Sequence, residues 1–139
     1  MHSTMTPEQV ELGRFFKVTV RRLEEGQAAP EMFSGAGDTE WHRMLNTLEE
    51  YSAFCTEQAG SLIGHAGNKG EGPISWVSAY EEMFGPLSKV WFTDAAGTLD
   101  TAALTRYRNT GVVVAEWDCT PTGGDGDGVA PKRREAVTR

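Results

Sequence analysis

The stretch TPEQVELGRFFKVTVRRLEEG, from Thr6 to Gly26, decides the fold class because its apolar residues follow a helical period. Thr6 is a suitable N-cap, and Pro7 is favoured at the first helical position. At 100° per residue, one side of the predicted helix collects large apolar side chains, which are Leu12, Phe15, Phe16, Val20 and Leu23. The pattern predicts an amphipathic helix that ends at Gly26 and buries one side against the rest of the chain.

Three further helices are indicated by capping residues and by glycine stops. One long helix is expected between Asp38 as its N-cap and Gly60 as its stop, with Phe54 on the side away from its apolar face. The other two are short, and Ser75 and Asp100 are the expected N-caps. Helices of these lengths fit within one small domain.

Two segments have the β-branched and aromatic composition of strands, and they are KVWFT (89–93) and VVVAEWD (112–118). A helix is expected between them, so a parallel β-α-β unit is possible. The glycine-rich segment GHAGNKGEGP (64–73) is expected to be a flexible surface loop. The fold class predicted is α+β: a small helical domain with a short two-stranded sheet near the C-terminus.

The composition changes after residue 119, and this change sets the expected domain boundary. Residues 120–139 are rich in Gly and Asp and then in basic residues, with little apolar material. Such a segment buries too little surface to offset the entropy lost on ordering. We therefore expect one folded domain over residues 5–119 and a disordered tail over residues 120–139.

Charge and hydropathy exclude some classes of function. The net charge is −7, which disfavours non-specific adhesion to nucleic acid or to an anionic membrane. No run approaches the roughly 18 apolar residues of a membrane span, and no charged-then-apolar leader opens the sequence. With two cysteines and no secretory pattern, the expectation is a soluble cytoplasmic protein with reduced thiols.

The segment KVWFTDAAGTLD, from Lys89 to Asp100, resembles the first motif of the haloacid dehalogenase-like phosphatases. The resemblance implies that Asp94 would be the nucleophile of a magnesium-dependent phosphoryl transfer. In that family a second Asp acts as general acid and base, but Ala96 stands at its place here. A methyl group has no proton to donate, so we expect a strand ending in a turn, with a phosphoryl-transfer enzyme as an alternative.

Four residues carry donor atoms that metals bind, and they are His42, Cys55, His65 and Cys119. No CxxC or HxxxH spacing is present, and His42 and Cys55 are expected on different sides of one helix. The sequence therefore predicts buried thiols and surface histidines, with no metal and no cofactor. No nucleophile–histidine–carboxylate arrangement is recognisable either.

Two groups of residues are candidates for binding. Arg14, Lys17 and Arg21 lie along the polar side of the first helix and could contact nucleic acid or an acidic partner. Glutamates nearby also suit an ordinary solvated face. Trp76 and Tyr80 could anchor a protein partner, although core packing explains the same residues.

These observations favour a small non-enzymatic interaction or regulatory protein of unknown pathway, with a protein partner or self-association possible. One alternative is a nucleic-acid-associated accessory protein that uses the basic helix face and the tail. The other is the magnesium-dependent phosphoryl-transfer enzyme centred on Asp94.

Overall fold

The computed structural model describes residues 5–122; of the tail expected over residues 120–139, residues 120–122 form the end of the second strand and residues 123–139 lie outside the described residues. Within these described residues the predicted mixed α+β class is confirmed, with five α-helices and a two-stranded sheet whose second strand lies near the C-terminus. The elements in chain order are α1 (Pro7–Glu24), α2 (Gly35–Leu45), α3 (Leu48–Ala59), β1 (Gly64–Pro73), α4 (Val77–Phe84), a 3₁₀ segment (Lys89–Phe92), α5 (Thr101–Thr110) and β2 (Val114–Thr122).

Helix α1 begins where its sequence predicts. The Thr6 hydroxyl accepts a hydrogen bond from the Gln9 backbone N–H, and the Gln9 side chain accepts one from the Thr6 N–H. This reciprocal capping box satisfies two donors at the helix start. The first part of the apolar side is buried as expected, with Leu12, Phe15 and Phe16 completely inaccessible to solvent, whereas Val20 is partly buried and Leu23 is exposed.

Aromatic side chains form the centre of the core. The Phe15 ring lies 5.8 Å from Trp41, 5.4 Å from Trp76 and 5.6 Å from Trp91, measured between ring centroids. Offset and edge-to-face contacts at these distances add to the stabilisation from burial alone. Phe15 therefore connects α1 with α2, with the N-cap of α4 and with the 3₁₀ segment.

The single helix expected from Asp38 to Gly60 is wrong, because the chain forms two helices with a break at Asn46 and Thr47. The amides of both break residues bond to carbonyls of the last turn of α2. The break reorients α3, which exposes Leu48 and buries Phe54 against Phe16. Phe54 is thus a core residue, contrary to the periodicity of an unbroken helix.

The strand predicted for KVWFT is also wrong, since residues 89–92 form a 3₁₀ turn that buries Trp91 and Phe92. The strand predicted for residues 112–118 is present as β2, but it begins at Val114 and continues to Thr122. Its partner is the glycine-rich segment that was expected to be a loop. The pair is antiparallel, with Gly67 opposite Cys119 and Gly70 opposite Trp117, so no parallel β-α-β unit forms.

Glycine suits two places in β1 because a neighbour occupies the space of a side chain. The Trp117 indole lies over Gly70, and a Cβ built there would meet it at 2.5 Å. At Gly64 a Cβ would lie 1.9 Å from the Thr122 hydroxyl oxygen. Close cross-strand packing thus overrides the low strand propensity of glycine.

The remaining helices follow their predicted positions with one change. Asp100 caps α5 by accepting from the Ala103 N–H at 3.0 Å, as expected. Ser75 does not cap α4, which has Trp76 at its N-cap, and the Ser75 hydroxyl bonds instead to Glu31 and Arg22. No helix within residues 5–122 has both the length and the apolar composition needed to cross a membrane.

Candidate metal centre

Four side chains with metal-binding donors converge where α2 meets the sheet. They are Asp38 and His42 from α2, His65 from β1 and Cys119 from β2, and one donor atom of each lies within 4.8 Å of the others. The residues are distant in sequence and come from three elements. We call this group the Asp-His-His-Cys cluster.

The start of α2 determines what Asp38 can do. Ser34 caps this helix, accepting from the Gly37 N–H at 3.0 Å, so the helix begins before Asp38 rather than at it. The Asp38 carboxylate is therefore released from the capping role predicted for it. Its position four residues before His42 places both side chains on one helix face, and the His42 Nε2 lies 3.3 Å from the Asp38 Oδ1.

The antiparallel register supplies the other two donors. His65 pairs with Pro121, and Gly67 pairs with Cys119, so His65 and Cys119 are diagonal neighbours on the same face of the sheet. On the other side of β2 the Met32 N–H donates to the Cys119 carbonyl at 3.2 Å. The backbone of Cys119 is thereby held between two segments, and its thiol contacts α2.

Burial shapes the chemistry of the cluster. Burial, together with the neighbouring His42, lowers the pKa of His65, so its imidazole is neutral at neutral pH. Burial, and then the bond to Asp38, raises the pKa of the Cys119 thiol. The thiol donates to the Asp38 Oδ1 with a sulfur–oxygen distance of 3.0 Å. Without a metal ion, one proton thus remains on the sulfur.

One atom of the cluster lacks a partner. The Nε2 of His65 is buried and has no hydrogen-bond partner among the described residues. The His65 ring is held edge-on by Trp41, with centroids 4.6 Å apart, and by His42 at 4.7 Å. A buried nitrogen without a partner is costly, and a metal ion is one ligand that would satisfy it.

The donor set indicates the class of ion. Two imidazole nitrogens, one thiolate and one carboxylate suit borderline transition ions, above all Zn²⁺, whereas Mg²⁺ and Ca²⁺ prefer oxygen donors. Bonds of about 2.0–2.3 Å in a tetrahedral zinc site place the donors roughly 3.3–3.8 Å apart. The widest separation in the cluster, bounded by 4.8 Å, needs to close by about 1 Å.

The sequence did not predict this cluster. From the sequence, His42, His65 and Cys119 were possible ligands together with Cys55. No metal site was predicted, because the chain has no CxxC or HxxxH spacing. The structure unites the first three, leaves Cys55 out and adds Asp38. The one local signal is Asp-x-x-x-His in DTEWH (38–42), which places two donors on one helix face; the other two donors depend on strand pairing.

Asp94 is part of a turn. Its Oδ1 accepts hydrogen bonds from the N–H groups of Ala96 and Thr98 at 2.9 and 2.8 Å, and Gly97 has a φ of 88°. This turn follows a 3₁₀ segment instead of the strand that the phosphatase motif requires. Asp94 lines a cavity of about 310 Å³ with Asp100 and Glu116, but within residues 5–122 it belongs to no group of three metal-binding side chains.

The basic residues of α1 are each engaged with neighbours. Arg14 bonds to Glu11 and to the Tyr80 hydroxyl, and Lys17 donates to the Gln58 amide oxygen at 2.6 Å. Arg21 bonds to Glu25 and Glu82. The structure therefore places acidic or amide partners beside all three, as in the solvated face that the sequence also allows.

Trp76 and Tyr80 lie in the core with no exposed surface. The Trp76 indole N–H donates to the Glu31 carbonyl at 2.8 Å, and the Tyr80 hydroxyl donates to Glu11 at 2.5 Å. This is the core packing that the sequence offered as the alternative to a partner anchor. These two residues and the Asp-His-His-Cys cluster occupy different parts of the fold.

The interpretation of the cluster depends on its own chemistry and placement. Its donors come from three elements, one donor is buried without a partner, and the set matches a transition-metal ion. Comparison with protein-family models, with curated proteins and with solved structures gives no match to this chain.

Proposed function

We propose that this protein binds one transition-metal ion of the Zn²⁺ class through Asp38, His42, His65 and Cys119. Two observations carry the proposal: one donor atom of each of the four side chains lies within 4.8 Å of the others, and the buried Nε2 of His65 has no hydrogen-bond partner among the described residues. A metal ion would satisfy that nitrogen and replace the thiol proton. It would also join three segments that are distant in sequence.

The proposed role of the ion is structural or regulatory. Four side chains fill a tetrahedral shell, which is typical of structural zinc sites, whereas catalytic sites keep one position for water or substrate. This agrees with the non-enzymatic regulatory or interaction protein favoured by the sequence. A partner, either another protein or a second copy, is part of the proposal, and light scattering with and without zinc tests the second possibility.

The proposal includes a reducing compartment such as the cytoplasm. Cys55 and Cys119 are both free thiols in the structure. A thiolate ligand has to remain reduced to bind a metal ion, and intracellular conditions keep thiols reduced. Fractionation of the native host followed by detection of the protein would test this location.

Cobalt substitution is the sharpest test of the site, because Co²⁺ occupies zinc sites and absorbs light. We expect one equivalent of Co²⁺ to produce d–d bands of a tetrahedral site and a sulfur-to-cobalt charge-transfer band. Zn²⁺ should abolish both by displacement. Competition with a chromophoric chelator then gives the zinc affinity.

Two cysteine variants provide a matched comparison. Both thiols are buried, but only Cys119 belongs to the cluster. Cys119→Ala should lose the charge-transfer band, whereas Cys55→Ala should retain it. An equal loss in both variants, or no tetrahedral cobalt spectrum in the wild-type protein, would contradict the proposal.

A further inference from the structure

The two-stranded sheet contains several features that weaken it. Strand β1 has four glycines and a proline among its ten residues, and glycine loses more conformational entropy than any other residue when it is ordered. The register is irregular between Gly67 and Gly70, and Glu71 lies directly opposite Glu116. Like charges in this position are destabilising, and two strands alone are marginally stable in water.

The part of the sheet near Gly64 is attached to the helices by few polar contacts. The Met32–Cys119 backbone bond joins β2 to the segment before α2. The Cys119 thiol bonds to Asp38, and the His65 ring packs on Trp41. The hydrogen bond and the ring contacts between the sheet and α2 involve His65 and Cys119 on the strands and Asp38, Trp41 and His42 on the helix.

The distribution of the ligands over the elements therefore has a mechanical consequence. Two donors belong to α2, one to β1 and one to β2. An ion bound by all four would cross-link both strands to the helix. The same ion would link β1 to β2 through His65 and Cys119, on the face where the two residues are diagonal neighbours.

We propose that metal binding controls the order of the β1–β2 sheet, so that the glycine-rich strand is fixed on α2 in the metal-bound protein and opens readily without metal. This inference rests on the proposed function and adds regulation to it. A ligand that binds only the closed form lowers the population of the open form. The factor rises with the free ligand concentration divided by the dissociation constant. At a free Zn²⁺ concentration 100 times that constant, opening should be suppressed about 100-fold.

Hydrogen–deuterium exchange of the full chain tests this directly. We expect Zn²⁺ to slow exchange about 100-fold in peptides covering residues 64–73 and 114–122, relative to protein treated with EDTA. Peptides from α1 serve as the internal reference, because that helix contributes no ligand. In EDTA the strand peptides should exchange clearly faster than those of α1, because the sheet opens without global unfolding.

A pair of variants on α2 separates metal binding from the effect of a mutation. The side chains of His42 and Arg43 are 55% and 48% exposed, so replacing either leaves no internal cavity. His42→Ala should lose the zinc-dependent protection of the sheet. Arg43→Ala should retain it.

Measuring zinc affinity on the same samples makes the outcomes distinguishable. If zinc binds by chelator competition but exchange in the two strands is unchanged, the inference is wrong and the metal site stands. Strands that exchange in EDTA as slowly as α1 would also overturn it, since the sheet would then open only with global unfolding. If zinc does not bind, both the inference and the proposed function fail.

Discussion

Two polar clusters of this protein each contain a carboxylate but differ in how fully their side chains are hydrogen-bonded. In the helical core, Glu11 accepts bonds from the Tyr80 hydroxyl and from the Trp91 indole N–H at 2.9 Å, and its other oxygen lies 3.1 Å from Arg14. We call this group the Glu11 network. At the junction of α2 and the sheet, the His65 Nε2 has no partner among the described residues.

How fully the side chains are hydrogen-bonded distinguishes a structural network from a candidate binding site. Both clusters contain buried titratable groups, so burial alone does not distinguish them. The Glu11 network satisfies its carboxylate within the chain, which is what buried polar groups require to stabilise a fold. In the Asp-His-His-Cys cluster the Cys119 thiol and His42 contact Asp38, but the His65 Nε2 has no partner among the described residues, and this unused nitrogen is the basis of the proposed metal site.

The largest expected effect is the loss of the Glu11 carboxylate. Glu11→Ala removes the acceptor of Tyr80 and Trp91 and leaves the partly buried Arg14 without its ion-pair partner. Leaving the two buried donors of Tyr80 and Trp91 unsatisfied costs about 1–3 kcal/mol each, so urea unfolding should show a loss of several kcal/mol. Zinc affinity of the folded fraction should be unchanged.

The isosteric Glu11→Gln serves as the control for that variant, because its carbonyl oxygen still accepts a hydrogen bond. We expect it to lose clearly less stability than the alanine variant. A loss of less than about 1 kcal/mol in Glu11→Ala would mean that the Glu11 network does not stabilise the core.

The next effect concerns His65 and has the opposite sign for the metal-free protein. His65→Phe keeps an aromatic ring against Trp41 and removes the unpartnered nitrogen. Because an unsatisfied buried polar group costs about 1–3 kcal/mol, the metal-free variant should be as stable as the wild type or more stable. Its zinc affinity should fall by at least about 100-fold, equivalent to about 2.7 kcal/mol.

Thermal or urea unfolding with EDTA and chelator competition measure the two quantities for His65→Phe. A clear loss of metal-free stability together with unchanged zinc affinity would reverse the assignment. His65 would then be a structural residue like those of the Glu11 network.

The two clusters also differ in how well the sequence predicts their surroundings. The ends of α1 and α5 depend on local signals, such as Thr6 with Gln9 or Asp100 with Ala103, and they were predicted from the sequence. The break between α2 and α3 carries no Gly or Pro and was missed. Strand β1 was missed because its pairing depends on β2, whose residues lie about 50 positions later.

The same difference between local signals and long-range pairing explains which candidate sites could be recognised from the sequence. Asp94 looked functional because a short motif is visible in one dimension. The Asp-His-His-Cys cluster cannot be recognised from the linear sequence. It forms because Ser34, rather than Asp38, caps α2 and because the antiparallel register places His65 beside Cys119. Only the Asp38–His42 spacing was accessible from sequence, and one pair of donors is weak evidence for a metal site.

A smaller effect is expected from replacing Gly70. This substitution tests how packing within the two-stranded sheet affects the Asp-His-His-Cys cluster. Gly70→Val places a β-branched side chain where a Cβ already meets the Trp117 indole at 2.5 Å. Overpacking of this kind costs about 1–3 kcal/mol, and here it should act mainly on the sheet. Zinc affinity should fall, because His65 and Cys119 depend on the register of these strands.

Gly67→Val provides the matched control, since a Cβ at Gly67 meets no atom within 4 Å. Exchange in β1 and β2 should rise in the Gly70 variant and stay near wild type in the Gly67 variant. Equal effects of the two substitutions would show that glycine flexibility, rather than packing on Trp117, determines the strand.

The smallest effect is expected at Asp94, where structure and sequence resemblance disagree most. Asp94→Ala removes an acceptor of two backbone N–H groups in an exposed turn, and a local bond of this kind contributes about 1 kcal/mol. Zinc affinity should not change, because Asp94 lies outside the Asp-His-His-Cys cluster. Hydrolysis of an aryl phosphate with Mg²⁺ should be equally absent in both proteins; wild-type turnover that disappears in Asp94→Ala would restore the phosphoryl-transfer interpretation.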